Sequence, residues 1–456
     1  MQLPLRLCAL LRQERLVGGA LVLALTQFAA SLAGLVRDRV LAATFPGLHV
    51  VDVYIASFRP SDLLFQMTIM AGFSVALVPL LARYRGEGDR DAMGRLLGGT
   101  VGLAAVGFGV VAFGLAVLFP FVAPYLVQFE GESLRLYITF GRLALLTNVL
   151  FVFGNAYGQY LITVQRYWVY GITPVLYTVG TILGTLFLSD PALLGPLGPI
   201  VGTLGGAIVY VALRFVAVCL SGCPLHLTLW HSDLPEFGRL MVPRMLALGV
   251  LQLQLLLFDT IASGLPAGAV TINAYARNFQ SVAVGVAGIA LAQSAYSMLS
   301  QAIAKREIHR FWIYLHRGVI VLLLVTIPGA VALGLLAPVA ATLVHLSHRL
   351  ALFRMCLMMY AVSVPFESIN HLLLRSFYAL KHTLTPAVFS VLNGAAAIGL
   401  TWYLAPSMGV FALALGFTAG QVIELIGLSV TLPQQVEASL YREFWLKRLI
   451  KKFVQK

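Results

Sequence analysis

Charge is scarce in this sequence: only 11% of its 456 residues are Asp, Glu, Lys or Arg, while 59% are hydrophobic. The mean hydropathy is +0.89, and apolar runs of about 20 residues recur from end to end, which excludes an ordinary water-soluble domain. The composition therefore predicts an all-α integral membrane protein.

Other absences narrow the functional class of this membrane protein further. There are four cysteines, in apolar segments or on the predicted cytoplasmic side, so we expect reduced thiols and no disulfide framework. No glycine loop with its lysine is present to bind nucleotide phosphates, which argues against ATP-driven action. No small-residue cleavage site follows the first apolar run, so we expect that helix to be retained. The sequence predicts neither an enzyme nor a cofactor.

Two cysteines and two histidines form a weak metal-binding motif. The spacing of Cys219, Cys223, His226 and His231 resembles a zinc site only loosely, and part of the set falls in or beside an apolar helix. We therefore predict no metal site.

Hydrophobic blocks between polar or Gly/Pro breaks predict about twelve membrane-spanning helices. If the amino terminus is inside, 22 lysines and arginines fall in inner segments and only two near outer loops. This bias predicts that both termini are cytoplasmic, and it explains most of the net charge of +13 without a nucleic-acid partner. The predicted spans are 16–45, 50–83, 94–122, 134–162, 168–188, 196–222, 238–264, 268–303, 312–345, 350–379, 383–404 and 408–432.

An internal repeat suggests how these spans are grouped. The segment 52–59 lines up with 273–280, and each opens a long helix that ends in a basic inner loop. With six helices per half, the halves are predicted to be parallel pseudo-repeats around a central cavity. We predict an N-terminal lobe over 1–222, a cytoplasmic loop over 223–237, a C-terminal lobe over 238–432 and a basic tail over 433–456. Apolar and basic residues on opposite sides of the tail helix predict that it lies on anionic membrane lipids.

Charged residues inside the apolar spans are the best candidates for function. A charge near the bilayer centre costs roughly 3 kcal/mol even on the mildest scale, so such residues usually mark a pathway for a polar substrate. Their predicted depths place them in the outer half of the membrane, in a mixed but cation-rich chamber suited to phosphate. An alternative is that they only pair across helices, Arg37 with Asp52 or Arg277 with Asp259. The candidates are Arg37, Asp38, Asp52, Arg59, Arg142, Asp259 and Arg277.

Two stretches of sequence carry distinctive motifs. In the first two predicted helices these are Gly34-Leu35-Val36-Arg37-Asp38, Phe45, Asp52-Val53-Tyr54, Phe58-Arg59 and the segment 72–79. In the seventh and eighth they are the segments 259–265, 268–270 and 275–278. Both stretches resemble the MurJ/MviN flippases, a family of the multidrug/oligosaccharidyl-lipid/polysaccharide exporter superfamily, so the resemblance covers both lobes.

The resemblance implies a flippase for lipid II, the undecaprenyl-pyrophosphate-linked peptidoglycan precursor, in the bacterial inner membrane. It implies alternating access of two six-helix lobes around a cationic cavity. Arg37, Asp38 and Asp52 match family positions, whereas Asn278 occupies the place of the family's eighth-helix arginine, one residue after Arg277. All these positions are candidate substrate-binding residues.

Several family positions differ in this chain. The family's earlier first-helix arginine is replaced by Ser31, and its Pro-Asn pair in the second helix is replaced by Ser61-Asp62. The arginine shortly after that pair is replaced by Phe65, and the acidic-glycine pair before Gly72 is replaced by Met70-Ala71. Members of the family typically add two helices that line a groove for the lipid tail. The alternatives are a flippase for another polyprenyl-linked saccharide, an antiporter for organic cations, and a transport-inactive scaffold that recruits cell-wall synthesis proteins.

Overall fold

The structure, a computed structural model, describes residues 16–70, 73, 77–226, 228 and 231–454; it leaves out the side chains of 16, 17, 20, 237, 239–248 and 439–454. Predictions for the amino-terminal arginines, for part of the motif at 72–79, for Ala71 and for the two faces of the tail therefore fall outside the described residues. The described elements are all helical. This confirms the predicted fold class.

Most of the helices follow one another with short connections. The first eight are α1 (Leu16–Thr44), α2 (His49–Phe65), α3 (Val78–Glu87), α4 (Arg90–Leu126), α5 (Gly131–Thr163), α6 (Tyr167–Leu188), α7 (Gly198–Leu220) and α8 (Leu234–Ser263). The others are α9 (Ala269–Ala283), α10 (Ala290–Ala304), α11 (Ile308–Leu335), α12 (Ala337–Leu343), α13 (Leu350–Ala379), α14 (Leu384–Met408) and α15 (Phe411–Val454). Helix α15 continues from the predicted twelfth span into the predicted tail.

Ten described helical stretches are long and apolar enough to cross a membrane by length and composition. The two other predicted spans are 50–83, which is divided between α2 and α3, and 238–264, where the apolar helical part is Gly249–Ser263. The number twelve therefore remains a prediction.

The predicted repeat is visible in the local backbone. A π-helical segment, π1 (Gln66–Met70), follows α2, and another, π2 (Val284–Ile289), lies between α9 and α10. Spans two and eight thus have the same order of α-helix, π-helix and α-helix. Segments of π-helix occur often at functional sites, because the widened turn redirects the side chains around it.

The chain forms two compact units. Unit 1 contains residues 1–271 with Leu343–His345, and unit 2 contains Ile272–Thr342 with the chain from Leu346 onward. Helix α8 packs on α2 and π1 and belongs to unit 1, so these units differ from the predicted lobes. The lobe boundary at 223–237 remains a prediction.

Each unit has its own means of close packing. In unit 1, glycines let α6 and α7 touch: a Cβ on Gly180 would lie 2.5 Å from the Cα of Gly206. Small residues at such contacts are typical of membrane helices. In unit 2, α10, α11, α13 and α15 surround a core that includes Leu299, Phe311 and Phe377.

Candidate functional site

Helix α2 carries the central residues of the candidate site. Asp52 and Arg59 are seven residues apart, nearly two helical turns, so both side chains project from the same side of α2. Asp52 is only 4% exposed. Each side chain binds a different partner on a helix far away in sequence.

Asp52 binds the beginning of α9. Its Oδ2 accepts a hydrogen bond from the Gly268 N–H at 2.6 Å. Its Oδ1 accepts two from Thr271, from N–H at 2.8 Å and from the hydroxyl at 2.5 Å. The first N–H groups of a helix lack intrahelical partners and attract negative charge. Asp52 therefore acts as an N-terminal cap that is supplied by another helix.

Gly268 is required at this contact for two reasons. Its φ is +95°, a conformation that favours glycine. A Cβ at this position would also lie 2.8 Å from Cδ1 of Leu48, in the turn between α1 and α2. A side chain at residue 268 would therefore strain the backbone that presents this N–H to Asp52 and would collide with Leu48.

Arg59 pairs with Asp259 of α8. Its Nε lies 2.6 Å from Oδ2 of Asp259, and the side chains are 21% and 3% exposed. Arg37 has a similar arrangement with its neighbour Asp38, whose Oδ1 accepts from Nε at 3.0 Å and from Nη2 at 2.7 Å. Two arginines within the helix bundle are thus each oriented by a buried carboxylate.

Asp62 and Asn148 extend this arrangement, and sequence reasoning did not include them among the site residues. Asn148 of α5 donates from Nδ2 to Ser61 Oγ at 2.9 Å and to Asp62 Oδ1 at 3.0 Å. Tyr177 of α6 is within electrostatic reach of both Asp62 and Arg37. The signal for Asn148 was weak, because a neutral amide in an apolar span costs less than a charge, whereas Asp62 is a charged residue inside a predicted span.

These charged residues of unit 1 are mixed in sign and not cation-rich. They are two arginines and four aspartates, and each arginine is paired at short range with one aspartate. The predicted Arg37–Asp52 pair is not formed, because Asp52 binds Gly268 and Thr271 instead. We call this set the unit 1 polar cluster: Arg37, Asp38, Asp52, Arg59, Asp62 and Asp259.

Arg142 does not join the unit 1 polar cluster. It lies on an exposed stripe of α5 with Arg135, Thr139 and Leu146. Its Nε donates to the carbonyl oxygen of Ala116 in α4 at 2.9 Å. Arg142 became a candidate because of its predicted depth along the helix. Depth alone does not determine which side of the helix a residue occupies.

Arg277 and Asn278 lie in unit 2. The Arg277 guanidinium is 4.4 Å from the ring centre of Phe417, and its Nη1 is buried without a hydrogen-bond partner in the described part of the chain. Asn278 is exposed. Near them, Gln280 donates from Nε2 to Oε2 of Glu367 at 2.5 Å.

The Gln280–Glu367 contact mirrors a contact of unit 1. Asp62 on span two binds an amide on span four, whereas Gln280 on span eight binds a carboxylate on span ten. Each bond joins the second and the fourth span of its predicted repeat. The carboxylate lies on the second span in unit 1, whereas it lies on the fourth span in unit 2. This agreement supports the predicted pseudo-repeat.

Arg214 is a fully buried arginine that sequence reasoning missed. It is 1% exposed, and its three nitrogens donate to Thr173 Oγ1, the Gly154 carbonyl and the Tyr170 carbonyl at 2.8 to 2.9 Å. Its guanidinium also stacks 4.0 Å from the ring centre of Tyr210. Arg214 therefore joins α5, α6 and α7, and the signal that could have found it is a lone arginine in the apolar run 198–220.

The loop after α7 is attached to α3 and α4. Tyr84 donates to Oδ2 of Asp233 at 2.8 Å, and His226 Nε2 is 2.7 Å from Oδ1 of Asp91. Burial raises the pKa of Tyr84, and its bond to Asp233 acts in the same direction, so the hydroxyl stays protonated. His231 Nδ1 accepts a hydrogen bond from the Asp233 N–H at 3.1 Å. Both histidines of the weak zinc spacing, His226 and His231, therefore have hydrogen-bond partners in this part of the chain.

Comparison with known proteins gives the family. The family model described as "Lipid II flippase MurJ" matches residues 41–456. This chain belongs to the lipid II flippase MurJ family. It is 26% identical over 376 residues to the lipid II flippase MurJ of Burkholderia cenocepacia, covering 78% of this chain and 72% of that protein. It is 23% identical over 430 residues to the probable lipid II flippase MurJ of Thermotoga maritima, covering 92% and 86%.

Solved structures agree on the fold. A lipid II flippase MurJ in an inward closed conformation superposes with a TM-score of 0.73 at 21% identity, covering 94% of this chain and 93% of that one. An inward-facing multidrug transporter of the MATE family gives 0.78 at 14% identity, covering 90% and 96%. The resemblance seen in the sequence is thus confirmed, and the chain is a membrane transporter of the MurJ family.

Proposed function

We propose that this chain moves lipid II from the inner to the outer leaflet of the bacterial inner membrane by alternating access, with both termini in the cytoplasm. The unit 1 polar cluster binds the pyrophosphate of the substrate. Membership of the MurJ family supports the assignment of lipid II as the substrate. The arrangement of Arg59 supports the assignment of this cluster as its binding site.

The Arg59–Asp259 pair is the observation that carries this proposal. The pair uses Nε of Arg59, and no described residue forms a hydrogen bond with its two Nη nitrogens. The side chain is still 21% exposed inside a bundle of apolar helices. An arginine that is held through Nε and keeps two Nη groups for other partners is suited to paired hydrogen bonds with phosphate oxygens.

The aspartates limit how tightly the site holds an anion. Asp259 and Asp38 each neutralise one arginine at short range. A pyrophosphate therefore shares Arg37 and Arg59 with these carboxylates and is bound less tightly than by unpaired arginines. Moderate affinity favours transport, because a substrate that binds too tightly is not released on the other side.

The Asp52 contact with α9 provides a latch for the conformational cycle. Alternating access requires helices of the two predicted lobes to separate, and α2 and α9 belong to different predicted lobes. The three hydrogen bonds of Asp52 converge on one carboxylate, so they break and form together. Arg277 and Asn278 are proposed to contact substrate from the second lobe, while Arg142 is outside the proposed site.

Complementation of a MurJ-depleted bacterium tests the proposed function. We expect the native chain to restore growth and to expose lipid II at the outer surface, and Arg37→Ala to fail at equal membrane abundance. If well-expressed native protein does not rescue, another polyprenyl-linked saccharide or the scaffold role becomes the better account. Rescue without outer-surface lipid II would favour the scaffold, which acts through cell-wall synthesis proteins.

A further inference from the structure

Unit 2 contains a groove that the transport proposal does not use. It has a volume of about 290 Å³ and lies between α10 and α11, with Leu372 of α13 behind it. Its lining is mostly apolar, and its polar side chains are Ser294, Tyr314 and Arg317. The lining residues include Ser294 and Met298 of α10, and Tyr314, Arg317, Gly318 and Val321 of α11.

The groove runs along the helix axes. Its lining residues recur three and four positions apart on both helices, so they form one stripe on each. From Tyr314 to Leu322 the stripe extends about 12 Å at helical rise. Gly318 leaves room in the middle, where a Cβ would lie 3.0 Å from Cδ2 of Leu372. Lipid chains in a bilayer run in the same direction as membrane-spanning helices.

Arg317 marks the level of the membrane surface on α11. The helix before it carries His309, Arg310 and His316, whereas no charged residue occurs from Gly318 to Leu335. The guanidinium therefore lies where the apolar part of the helix begins, at the depth of lipid headgroups. Arg310 binds Glu307 at 2.8 Å. For Arg317, in contrast, the described residues provide neither a hydrogen bond nor an ion pair.

We propose that this groove binds an anionic phospholipid, with one acyl chain along α10 and α11 and the phosphate on Arg317. The Tyr314 hydroxyl stands at the same end as a second donor. Lys305 and Arg306 add positive charge near that end of the helices, which favours an anionic headgroup over a zwitterionic one. The proposed ligand is a lipid of the surrounding bilayer, and the proposal does not depend on which substrate the protein transports.

The test uses the full chain in nanodiscs that contain equal amounts of phosphatidylglycerol and phosphatidylcholine with identical acyl chains. The protein is released into mild detergent, and the lipid that stays bound is measured by mass spectrometry. We expect phosphatidylglycerol to predominate, and Arg317→Gln to reduce this preference by about fivefold, the effect of one cation at a membrane surface. Arg310→Gln is the matched control, because it removes the same charge outside the groove.

A second pair of variants tests the acyl-chain site. Val321→Trp places a large ring in the groove and should abolish retention of both lipids, whereas Ile320→Trp, on a neighbouring exposed position of α11, should retain them. Equal lipid preference in Arg317→Gln and the native chain would overturn the proposal. Displacement of phosphatidylglycerol by an equimolar polyprenyl phosphate would show that the occupant is a substrate-like lipid and would overturn it as well.

Discussion

Oδ1 of Asp52 accepts two hydrogen bonds from one residue, the N–H and the hydroxyl of Thr271, at 2.8 and 2.5 Å. A carboxylate on α2 thus performs for α9 the function that an N-cap residue usually performs for its own helix. The two helices carry the matching segments of the two predicted repeats, and Asp52, Gly268 and Thr271 all lie in unit 1.

Removing the Thr271 hydroxyl should destabilise the protein. Thr271→Ala loses a hydrogen bond to a charged group, which is worth about 1.5 to 3 kcal/mol. Thr271→Ser keeps the hydroxyl and should stay close to the native chain. The measurement is the thermal unfolding midpoint in detergent, and equal midpoints for the serine and alanine variants would contradict the assigned bond.

Gly268→Ala should destabilise the protein for two reasons, which are backbone strain at φ +95° and a collision with Leu48. The strain alone is of order 1 to 3 kcal/mol. Adding Leu48→Ala should relieve the collision but not the strain, and should therefore recover only part of the loss relative to Leu48→Ala alone. Complete recovery in the double variant would show that backbone conformation contributes nothing.

The Arg59–Asp259 pair should show strong coupling. Asp259→Asn leaves Arg59 without its carboxylate in a largely buried place and should cost about 3 to 5 kcal/mol. Adding Arg59→Gln removes the charge that was left behind, so the double variant should be more stable than Asp259→Asn alone. Unfolding midpoints of the four proteins give the coupling, and additive losses would mean that the pair is energetically unimportant.

Arg214→Lys should destabilise unit 1 although it conserves the charge. A lysine does not reproduce the three directed hydrogen bonds or the stacking on Tyr210, and its buried ammonium would lack partners. We expect a loss of about 3 kcal/mol, in the range for disrupted buried polar networks. Arg135→Lys, on the exposed stripe of α5, is the control and should unfold at the native midpoint.

The sequence predicted the helical segments and the repeat because both depend on local patterns. Apolar runs set the helix positions, and the motif shared by 52–59 and 273–280 opens two segments that both contain a π-helix. Partners were harder to predict. Asp52 was considered as a partner of Arg37, but it binds backbone N–H groups of Gly268, whose importance depends on a φ angle and not on side-chain chemistry.

Arg142 and Asn148 illustrate the same limit on one helix. They lie six residues apart on α5, yet Arg142 is on an exposed stripe and Asn148 is 2% exposed beside Asp62. Hydropathy gives the depth of a residue along a span, but the side it occupies depends on which neighbours pack there. The family resemblance supplied a substrate class that neither charge nor spacing alone could provide.

Lipid II flipping by the purified chain in proteoliposomes is the most direct test of the central claim, that Arg59 in the unit 1 polar cluster binds the pyrophosphate. We expect the native chain to flip lipid II and Arg59→Gln to slow it by about 10-fold or more, the equivalent of one charge-assisted hydrogen bond. Arg142→Gln should remain near the native rate, because that side chain lies outside the cluster. No flipping by the native chain, or equal rates for the two variants, would contradict the claim.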